Sequence, residues 1–600
     1  MRYAALSALA ALALAACAGP APTAAPTPTP SPVAPGVLEA VPAAPARDPF
    51  GLTQRYKDVD AAPLSEKVLY AEEPVGSART FNVVDVNALD TFSMPTHLAH
   101  VGQHALWYVA DDITVDPAAL ATSARAFDEQ VYPQVLALFG ERLAPPGRIV
   151  IVSGRIPGVG GYFSAADTLP TAVYAQSNQR VGVFMASAGG VSGASFLGTL
   201  AHEFTHVLQW RADPSEATWL TEGQAEYAAR ALGLGALPFD SYLREPQAGL
   251  AVWPPAIADA LPSYAAASLF ARYLAEQVGE AALPRLLAEP ADGFDGIEAA
   301  IPGASFEALY AGWLVANLVG QGPFGYREPT PSVTVDQTVS REGEGQGTVQ
   351  QTGGWYLGLD PVSGPLTVRF TGTATTPVIP GGAHSGEACW WSGNGEGRDA
   401  TLTRALDLRG LRTATLRFWS WQDIEEGFDG GYVAVSADAG NSWQALGGSG
   451  TRPPGTLGLE LGPMLTGATD GWIEERVDLT PYAGAQVLVR FEYLTDEAVE
   501  QSGWCVDDIA VPEAGFFDDA ETDGNWQAAG FVRVGEAGAR QHYLLRLVEG
   551  AGEAASVRTV EVNAANAATF TVERPAVLVV GAWAPGTGER AAFTVAVEAP

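Results

Sequence analysis

The sequence predicts a multidomain fold in which an α+β domain is followed by all-β sandwich domains. Residues 48–326 mix helical and strand patterns, with apolar side chains at three- and four-residue steps in several segments. From about residue 330 the helical periodicity disappears, glycine becomes dense and short alternating strands appear. With 600 residues, the chain is long enough for three or four domains with their own cores.

The first domain contains clear boundaries of secondary structure. Asp116 followed by Pro117 predicts a helix start, because an aspartate can cap the first turn and proline suits the first helical position. Residues 148–152 form a short apolar run that predicts a buried strand. Further helices are predicted around residues 269–278, 283–287 and 306–318.

The segment His202-Glu203-Phe204-Thr205-His206 carries the strongest chemical signal in the chain. On a helix, two histidines four residues apart project from one face, so that both imidazoles can reach one metal ion. Glu203 lies beside them as a candidate base for water held by that ion. The flanking apolar residues predict a buried helix, in which bare imidazoles are costly unless a metal or another partner satisfies them. A helix with two otherwise satisfied histidines is the alternative.

A second helical stretch, residues 219–227, presents Glu222 and Glu226 on one face. Either carboxylate could supply a third protein ligand. Three protein ligands and a water molecule form the open arrangement of a catalytic zinc, whereas a structural zinc has four protein ligands. The pattern therefore indicates a catalytic metal site.

Together the two segments resemble the gluzincin metallopeptidases, enzymes with a zincin-like fold in which two histidines and a later glutamate bind zinc. In that group the ligand is the glutamate before the glycine, which corresponds to Glu222. Fifteen residues separate His206 from Glu222 and nineteen separate it from Glu226, whereas many gluzincins have roughly eighteen or nineteen. The resemblance implies the ligands His202, His206 and Glu222. Glu226 is then the alternative ligand, or a residue that orients a histidine.

The same resemblance implies metal-assisted hydrolysis of peptide bonds, with Glu203 taking a proton from water. A tyrosine or histidine from downstream sequence should stabilise the oxyanion. Tyr264 is a candidate for this role, and an aromatic core residue is the equal alternative. Residues 181–186 are expected to form a strand that binds the substrate backbone along its edge or, alternatively, an ordinary core strand.

Several phrases in the second half resemble the C-terminal region of immune inhibitor A-type bacterial metallopeptidases. They include His384-Ser-Gly, Trp390-Trp-Ser-Gly-Asn-Gly, Asp478-Leu-Thr-Pro-Tyr-Ala-Gly484 and Gly503-Trp-Cys-Val-Asp-Asp-Ile509. The resemblance implies a jelly-roll β-sandwich over residues 379–515. The segments 330–378 and 516–600 contain further strands on either side, and the two could join as one split domain.

Acidic residues of the sandwich suggest one metal site and one turn. Asp399, Asp507 and Asp508 could hold a calcium ion, because such sandwiches often do and carboxylate oxygens suit calcium. Exposed turn carboxylates are the alternative. Residues 436–443 fit an Asp-box hairpin, a stable turn motif that in a single copy does not indicate a glycosidase.

The N-terminus is predicted to be a targeting segment. Residues 1–16 resemble a bacterial lipoprotein signal peptide, with Arg2, an apolar stretch and a cleavage box before Cys17, which would receive lipid. A plain secretory signal with an incidental cysteine is the alternative. Residues 17–47 are rich in proline, alanine and threonine and predict a disordered stem.

Export would leave two further cysteines, Cys389 and Cys505, in an oxidising compartment. We expect them to form a disulfide, and two buried free thiols are the alternative. The expected localisation is the bacterial cell surface or outer membrane, through the lipid.

The charge of the chain limits its partners. A formal net charge of −35 argues against nucleic acid, which requires a basic surface. Lysine occurs only at positions 57 and 67, so no polybasic patch would supplement the lipid at a membrane. The expected function is that of a zinc endopeptidase acting on protein or peptide substrates. The alternative is an inactive adhesion or carbohydrate-binding lipoprotein on a metallopeptidase scaffold, and the intact Glu203 favours the enzyme.

Overall fold

The computed structural model describes residues 36–187, 189–235, 237–254, 259–328, 330–335 and 337–598. The predicted signal peptide, Cys17 and the stem as far as residue 35 lie outside the described residues. None of the helices in the described ranges is long and apolar enough to cross a membrane.

The first domain contains a six-stranded sheet in the order β1-β2-β3-β4-β6-β5. Its strands are β1 Ala78–Asp85, β2 Asp90–Val101, β3 Ala105–Ala110, β4 Ile149–Gly154, β5 Gly161–Phe163 and β6 Gly182–Ala186. The strands β3, β4 and β6 are parallel, whereas β1, β2 and β5 run antiparallel to their neighbours. Because β5 is the last strand in this order, it forms one edge of the sheet.

The described helices belong mainly to this domain. They are α1 Pro49–Lys57, α2 Glu66–Leu69, α3 Pro117–Ala126, α4 Tyr132–Phe139, α5 Ala194–Ala212, α6 Thr218–Ala231, α7 Asp240–Arg244, α8 Leu261–Tyr273, α9 Ala282–Leu286, α10 Gly293–Ala300 and α11 Phe306–Val319. The carboxylate of Asp116 accepts a hydrogen bond from the Ala118 amide and caps α3, as predicted. The buried rings of Trp107, Phe127 and Phe204 join the sheet to α5.

The remaining described strands form two sandwiches, except that β11 and β24 pair as a separate two-stranded sheet. Those before the jelly roll are β7 Thr338–Val339, β8 Gly343–Val349, β9 Gly354–Leu359, β10 Leu366–Gly372 and β11 Thr375–Thr376. Those of the jelly roll are β12 Ala388–Trp391, β13 Asp399–Asp407, β14 Thr415–Ile424, β15 Gly430–Ser436, β16 Gln444–Ala445, β17 Gly467–Ala468, β18 Ile473–Asp478, β19 Gln486–Leu494, β20 Gly503–Val511, β21 Phe516–Asp518, β22 Gln527–Ala529 and β23 Val532–Gly535. Those after it are β24 Ala539–Arg540, β25 His542–Glu549, β26 Ser556–Val560, β27 Ala567–Val572, β28 Ala576–Trp583 and β29 Ala591–Glu598.

The jelly roll packs a sheet containing β14, β20, β12 and β23 against a sheet in the order β16-β15-β19-β13-β22. Phe418, Phe491 and Trp504 meet in its buried core. Cys389 and Cys505 lie on the adjacent strands β12 and β20 and form a disulfide, with their Cα atoms 6.1 Å apart.

The last sandwich combines strands from both sides of the jelly roll. One of its sheets has the order β27-β10-β29-β8 and the other has the order β26-β25-β28-β9-β7. The predicted start of its second segment at residue 516 is wrong. The strands β21, β22 and β23 pair with β20, β13 and β12 of the jelly roll, so the second segment begins near residue 539.

Residues 36–47, here called the N-terminal arm, differ from the predicted disordered stem. The Leu38 amide donates to the Gly538 carbonyl at 2.8 Å, and the Arg47 amide donates to the Gly397 carbonyl at 2.7 Å. The side chain of Arg398 donates to the Pro42 carbonyl at 2.7 Å. An extended proline-rich chain has free carbonyls that a folded surface can bind, so the composition did not by itself require disorder.

Candidate metal centre and active site

Two helices bring the predicted metal ligands together. His202, Glu203 and His206 lie in the middle of α5, and Glu222 lies one turn into α6. Gly223 allows α6 to approach α8 closely, because a Cβ atom at this position would lie 2.7 Å from the carbonyl oxygen of Ala267. The glycine that follows Glu222 is thus required by helix packing.

The three side chains converge on one point. The Nε2 atoms of His202 and His206 lie 3.1 Å apart. The carboxylate oxygens of Glu222 lie 3.0 Å from Nε2 of His202 and 3.6 Å from Nε2 of His206. All three side chains are largely buried, with 13–18% of their surface exposed. One nitrogen from each histidine and one carboxylate therefore face a common position.

This donor set fits a zinc ion. Zinc binds nitrogen and oxygen ligands at about 2.0–2.1 Å, so tetrahedral ligand atoms lie about 3.3 Å apart, close to the separations found here. Oε2 of Glu222 is buried and lies 3.0 Å from Nε2 of His202, but it accepts no well-aligned hydrogen bond within the described residues. A buried carboxylate oxygen is costly without a partner, and a cation between the histidines would supply one.

The outer nitrogen of each histidine faces a side-chain oxygen, and that of His206 makes a well-aligned hydrogen bond with it. Nδ1 of His206 lies 2.7 Å from Oε1 of Gln209, and the amide of Gln209 is held by a 2.8 Å bond from its Nε2 to the Thr221 carbonyl. Because an amide oxygen only accepts, Nδ1 of His206 donates this bond, and Nε2 is the nitrogen that faces the common position. On His202, Nδ1 lies 3.2 Å from Oε1 of Glu226. Gln209 was not predicted as a site residue. Its position three residues after His206, on the same face of a helix, could have indicated this contact.

The electrostatics of the cluster favour a positive charge at its centre. Burial lowers the pKa of His202, but the Glu222 and Glu226 carboxylates outweigh it and raise this pKa well above its usual value. Burial raises the pKa of Glu222, but His206 and His202 outweigh it and hold this pKa well below its usual value. The carboxylates thus attract a cation, whether that cation is a proton or a metal ion.

Glu203 lies beside the histidines and is only 5% exposed. Burial raises the pKa of its carboxyl group, while His202 and His206 partly oppose that rise. The edge strand β5 comes close to it, because a Cβ atom at Gly161 would lie 3.1 Å from Cγ of Glu203. A carboxyl group with a raised pKa is suited to accept and return a proton near neutral pH.

The expectation that residues 181–186 form a substrate-binding edge is wrong. This segment contains β6, which pairs with β4 on one side and with β5 on the other, so both of its edges are occupied. The ordinary core strand is the correct interpretation for it. The outermost strand of the sheet near Glu203 is instead β5, which pairs with β6 and with no other described strand.

Tyr264 lies at the start of α8 and faces the same region. Its ring packs edge-on against Trp253, with their centroids 4.6 Å apart. The Glu222 carboxylate raises the pKa of Tyr264 well above its usual value, and burial and Glu203 add to this. The phenol therefore keeps its proton and remains a hydrogen-bond donor close to Glu222.

The predicted calcium ligands do not come together. Asp507 and Asp508 bind His384 and Ser385, with Nδ1 of His384 2.7 Å from Oδ2 of Asp508. Asp399 lies on β13 in the other sheet and binds Nη2 of Arg55 at 2.9 Å. The three residues are on different sheets because β13 and β20 face each other across the core, a relationship that the sequence did not reveal.

The jelly roll contacts the helix that carries Glu222. The two carboxylate oxygens of Glu396 accept hydrogen bonds of 2.9 and 3.1 Å from the amide of Thr218, the first residue of α6. The amide of Val499 donates to the Thr218 hydroxyl at 3.3 Å. A carboxylate at a helix N-terminus is favoured by the free amides and the helix dipole. The jelly roll therefore contacts the N-terminus of the helix that carries Glu222.

Comparison with known proteins places the clearest similarity in the jelly roll. Residues 366–536 match the family model described as immune inhibitor A-like, MAM domain. The chain is 29% identical over 163 residues to the pre-pro-metalloprotease PrtV of Vibrio cholerae serotype O1, strain El Tor Inaba N16961, which is 27% of this chain and 17% of that protein.

Two further relatives match shorter parts. Immune inhibitor A of Bacillus thuringiensis subsp. alesti is 29% identical over 152 residues, 24% of this chain and 21% of that protein. Bacillopeptidase F of Bacillus subtilis strain 168 is 30% identical over 98 residues, 16% of this chain and 6% of that protein. The chain thus spans about a fifth or less of the length of these curated relatives. The similarity to PrtV, which is named as a metalloprotease, supports a relationship with the metallopeptidases.

Proposed function

We propose that this protein is a zinc-dependent endopeptidase whose metal is held by His202, His206 and Glu222. The observation that supports the proposal most is the convergence of two Nε2 atoms, 3.1 Å apart, and the buried Glu222 carboxylate, whose oxygens lie 3.0 and 3.6 Å from them. Similarity to a protein named as a metalloprotease agrees with this activity. Glu226 and Gln209 would orient the two histidines from behind.

When bound, zinc supplies Lewis acidity, which lowers the pKa of water and polarises a peptide carbonyl. Glu203 is the proposed general base. Its carboxyl group is buried beside the ligands, and burial raises its pKa toward the range in which a group can take a proton from water and pass it to the leaving amine.

Tyr264 and β5 have proposed roles around the substrate. Tyr264 keeps its phenol proton and would donate a hydrogen bond to the developing oxyanion. The free edge of β5 beside Glu203 would pair with the extended backbone of a substrate. Both roles depend on the protein groups that lie next to Glu203 and Glu222.

Metal content and hydrolysis of casein by the purified chain test this proposal together. Wild-type protein should contain about one zinc per chain and should cleave casein. His206→Ala should lose both, because two remaining ligands bind zinc poorly. Equal zinc content in the two proteins would contradict the assignment of the ligands.

We also propose that the protein is exported and anchored by lipid at Cys17, at the bacterial cell surface or outer membrane. The support is the signal-like sequence before Cys17. Since the sequence has no polybasic segment, the lipid would be the main attachment to the membrane. Cell fractionation of Cys17→Ser should find the protein released from membranes, and its retention there would contradict the anchor.

A further inference from the structure

A cavity of about 790 Å³ lies where the first domain, the jelly roll, the last sandwich and the N-terminal arm meet. We call it the junction cavity. Its walls include Ala217 and Trp219 at the start of α6, Phe306 at the start of α11, Trp421 of the jelly roll and Trp583 of the last sandwich. This volume is typical of sites that bind organic ligands of several hundred daltons.

The lining of the junction cavity is strongly acidic. Nine of its lining residues are aspartate or glutamate, whereas Arg398 is the single lysine or arginine among the lining residues that are described. Asp295, Glu298 and Glu589 are exposed, whereas Glu307 and Glu500 are partly buried. Burial raises the pKa of Glu396 and of Glu500, so the negative charge near neutral pH comes mainly from the exposed carboxylates, which attract cations and repel anions.

A buried acceptor in the wall also lacks a donor. Asn394 lines the cavity and is only 9% exposed. Its Nδ2 donates to the Glu500 carboxylate, which fixes the orientation of the amide, and its Oδ1 has no hydrogen-bond partner within the described residues. The wall of the cavity therefore contains a buried acceptor that the described protein groups leave without a donor.

Aromatic rings complete the lining. Trp219, Trp421 and Phe306 are buried in the wall, and Trp253 and Trp583 are partly exposed. Aromatic rings beside carboxylates bind the apolar stem and the charged end of lysine and arginine side chains. The dominance of negative charge favours a cationic ligand over a neutral sugar, which aromatic cavities can also bind.

Two residues that line the junction cavity connect it with residues of the metal centre. Trp219 lies three residues before Glu222, about 4.5 Å along the axis of α6. Trp253 lines the cavity and packs against Tyr264, which is close to Glu222. A polypeptide bound at the metal centre could therefore extend into the cavity.

We propose that the junction cavity binds a positively charged segment of the polypeptide substrate, so that the enzyme prefers substrates with lysine or arginine near the scissile bond. The preference for cleavage near lysine or arginine rests on the proposed peptidase function. The binding itself requires only the cavity, so the two can be tested separately.

Binding is measured with fluorescein-labelled tetra-D-arginine, a probe that peptidases do not cleave, by fluorescence anisotropy on the full chain in 150 mM salt. Tetra-D-serine and maltohexaose serve as neutral probes. The double variant Asp295→Asn/Glu298→Gln should bind the cationic probe roughly 3- to 10-fold more weakly. The glutamine keeps an acceptor for the Phe306 amide, which bonds to Glu298 at 2.9 Å, so folding should be preserved.

The matched control is Glu342→Gln/Glu344→Gln, which removes the same charge from exposed positions on and next to β8, outside the cavity lining. It should bind the probe like the wild type. Equal weakening in both double variants would show general attraction to an acidic protein and overturn the inference. Preferred binding of maltohexaose would overturn it as well.

Cleavage of a peptide library tests the preference for lysine or arginine near the scissile bond. We expect lysine or arginine to be enriched near the cleaved bonds for the wild type and less enriched for Asp295→Asn/Glu298→Gln. Hydrolysis without such a preference would overturn the inference. Tight cationic binding without any hydrolysis would contradict the peptidase proposal and would leave the cavity as a binding site for basic polypeptides.

Discussion

Oε1 of Glu226 lies 3.2 Å from Nδ1 of His202, on the side of the imidazole away from Glu222, whose carboxylate lies 3.0 Å from Nε2. The carboxylates of Glu222 and Glu226, one turn apart on α6, thus lie next to different nitrogens of the His202 ring. Spacing along the chain leaves either glutamate as the possible third ligand, whereas their positions around His202 differ. This geometry favours Glu222 as the ligand and Glu226 as the residue that orients His202.

The two glutamates should therefore respond differently to substitution. Glu222→Ala should abolish stoichiometric zinc binding, because it removes the third ligand. Glu226→Gln should lower zinc affinity roughly 10- to 100-fold, the usual effect of losing a group that orients a ligand. Titration with a competing chelator measures both, and weaker retention of zinc in the Glu226 variant than in the Glu222 variant would reverse the assignment.

Gln209 should affect the metal without touching it. Gln209→Met has a similar size and removes the acceptor for Nδ1 of His206. We expect zinc affinity to fall roughly 10- to 100-fold. Gln277→Met, in a glutamine that binds the Gly325 carbonyl outside the metal centre, is the control. An unchanged affinity in the Gln209 variant would show that His206 does not need this bond.

Glu216 should make stability depend on pH. Its Oε1 accepts hydrogen bonds from the amides of Gly293 and Ala217, while its buried Oε2 has no partner within the described part of the chain. Burial, together with Asp292 and Asp213, raises the pKa of Glu216 to about 8. The folded state therefore holds a proton that the unfolded state releases near pH 4.5. This contribution to stability is present at low pH and is lost as the pH rises toward 8.

Glu216→Gln should prevent the loss of stability at higher pH, because the amide has no charge to bury. We expect the variant to be more stable than the wild type at pH 8, by on the order of 1–3 kcal/mol, and similar to it at pH 4.5. Thermal unfolding at both pH values measures the difference, with the exposed Glu344→Gln as the control. A stabilisation that does not change with pH would contradict the proposed titration of Glu216.

The disulfide should stabilise the jelly roll. Cys389 and Cys505 are fully buried and are separated by 116 residues in sequence, so the bond closes a long loop. Replacing both with serine should cost about 2–5 kcal/mol of stability. Chemical unfolding followed by the fluorescence of the sandwich tryptophans measures this cost. Free thiols detected by alkylation of the unreduced protein would contradict the bond.

Local patterns of sequence predicted the elements better than the contacts between them. The four-residue spacing of His202 and His206 on a helix follows from helix geometry alone, and so does the capping of α3 by Asp116. In contrast, the edge position of β5 depends on a strand order in which a later strand is inserted between two earlier ones. No periodicity along the chain reports that order.

Contacts between distant segments were also beyond sequence reasoning. The bond from Thr218 to Glu396 joins residues 178 positions apart, and the N-terminal arm binds Gly538 across almost the whole chain. The separation of Asp399 from Asp507 has the same origin, since it depends on which sheet each strand joins. Composition and spacing identify the groups that can do chemistry, while the three-dimensional packing decides which of them meet.

The most direct test of the account compares casein hydrolysis by zinc-loaded wild type and Glu203→Gln at equal zinc content. Glutamine preserves the shape of the side chain but cannot take a proton from water. We expect the variant to keep its zinc and to lose roughly 100- to 10,000-fold in turnover, the contribution of a positioned general base. A variant that retains its zinc and cleaves casein as fast as the wild type would contradict the account.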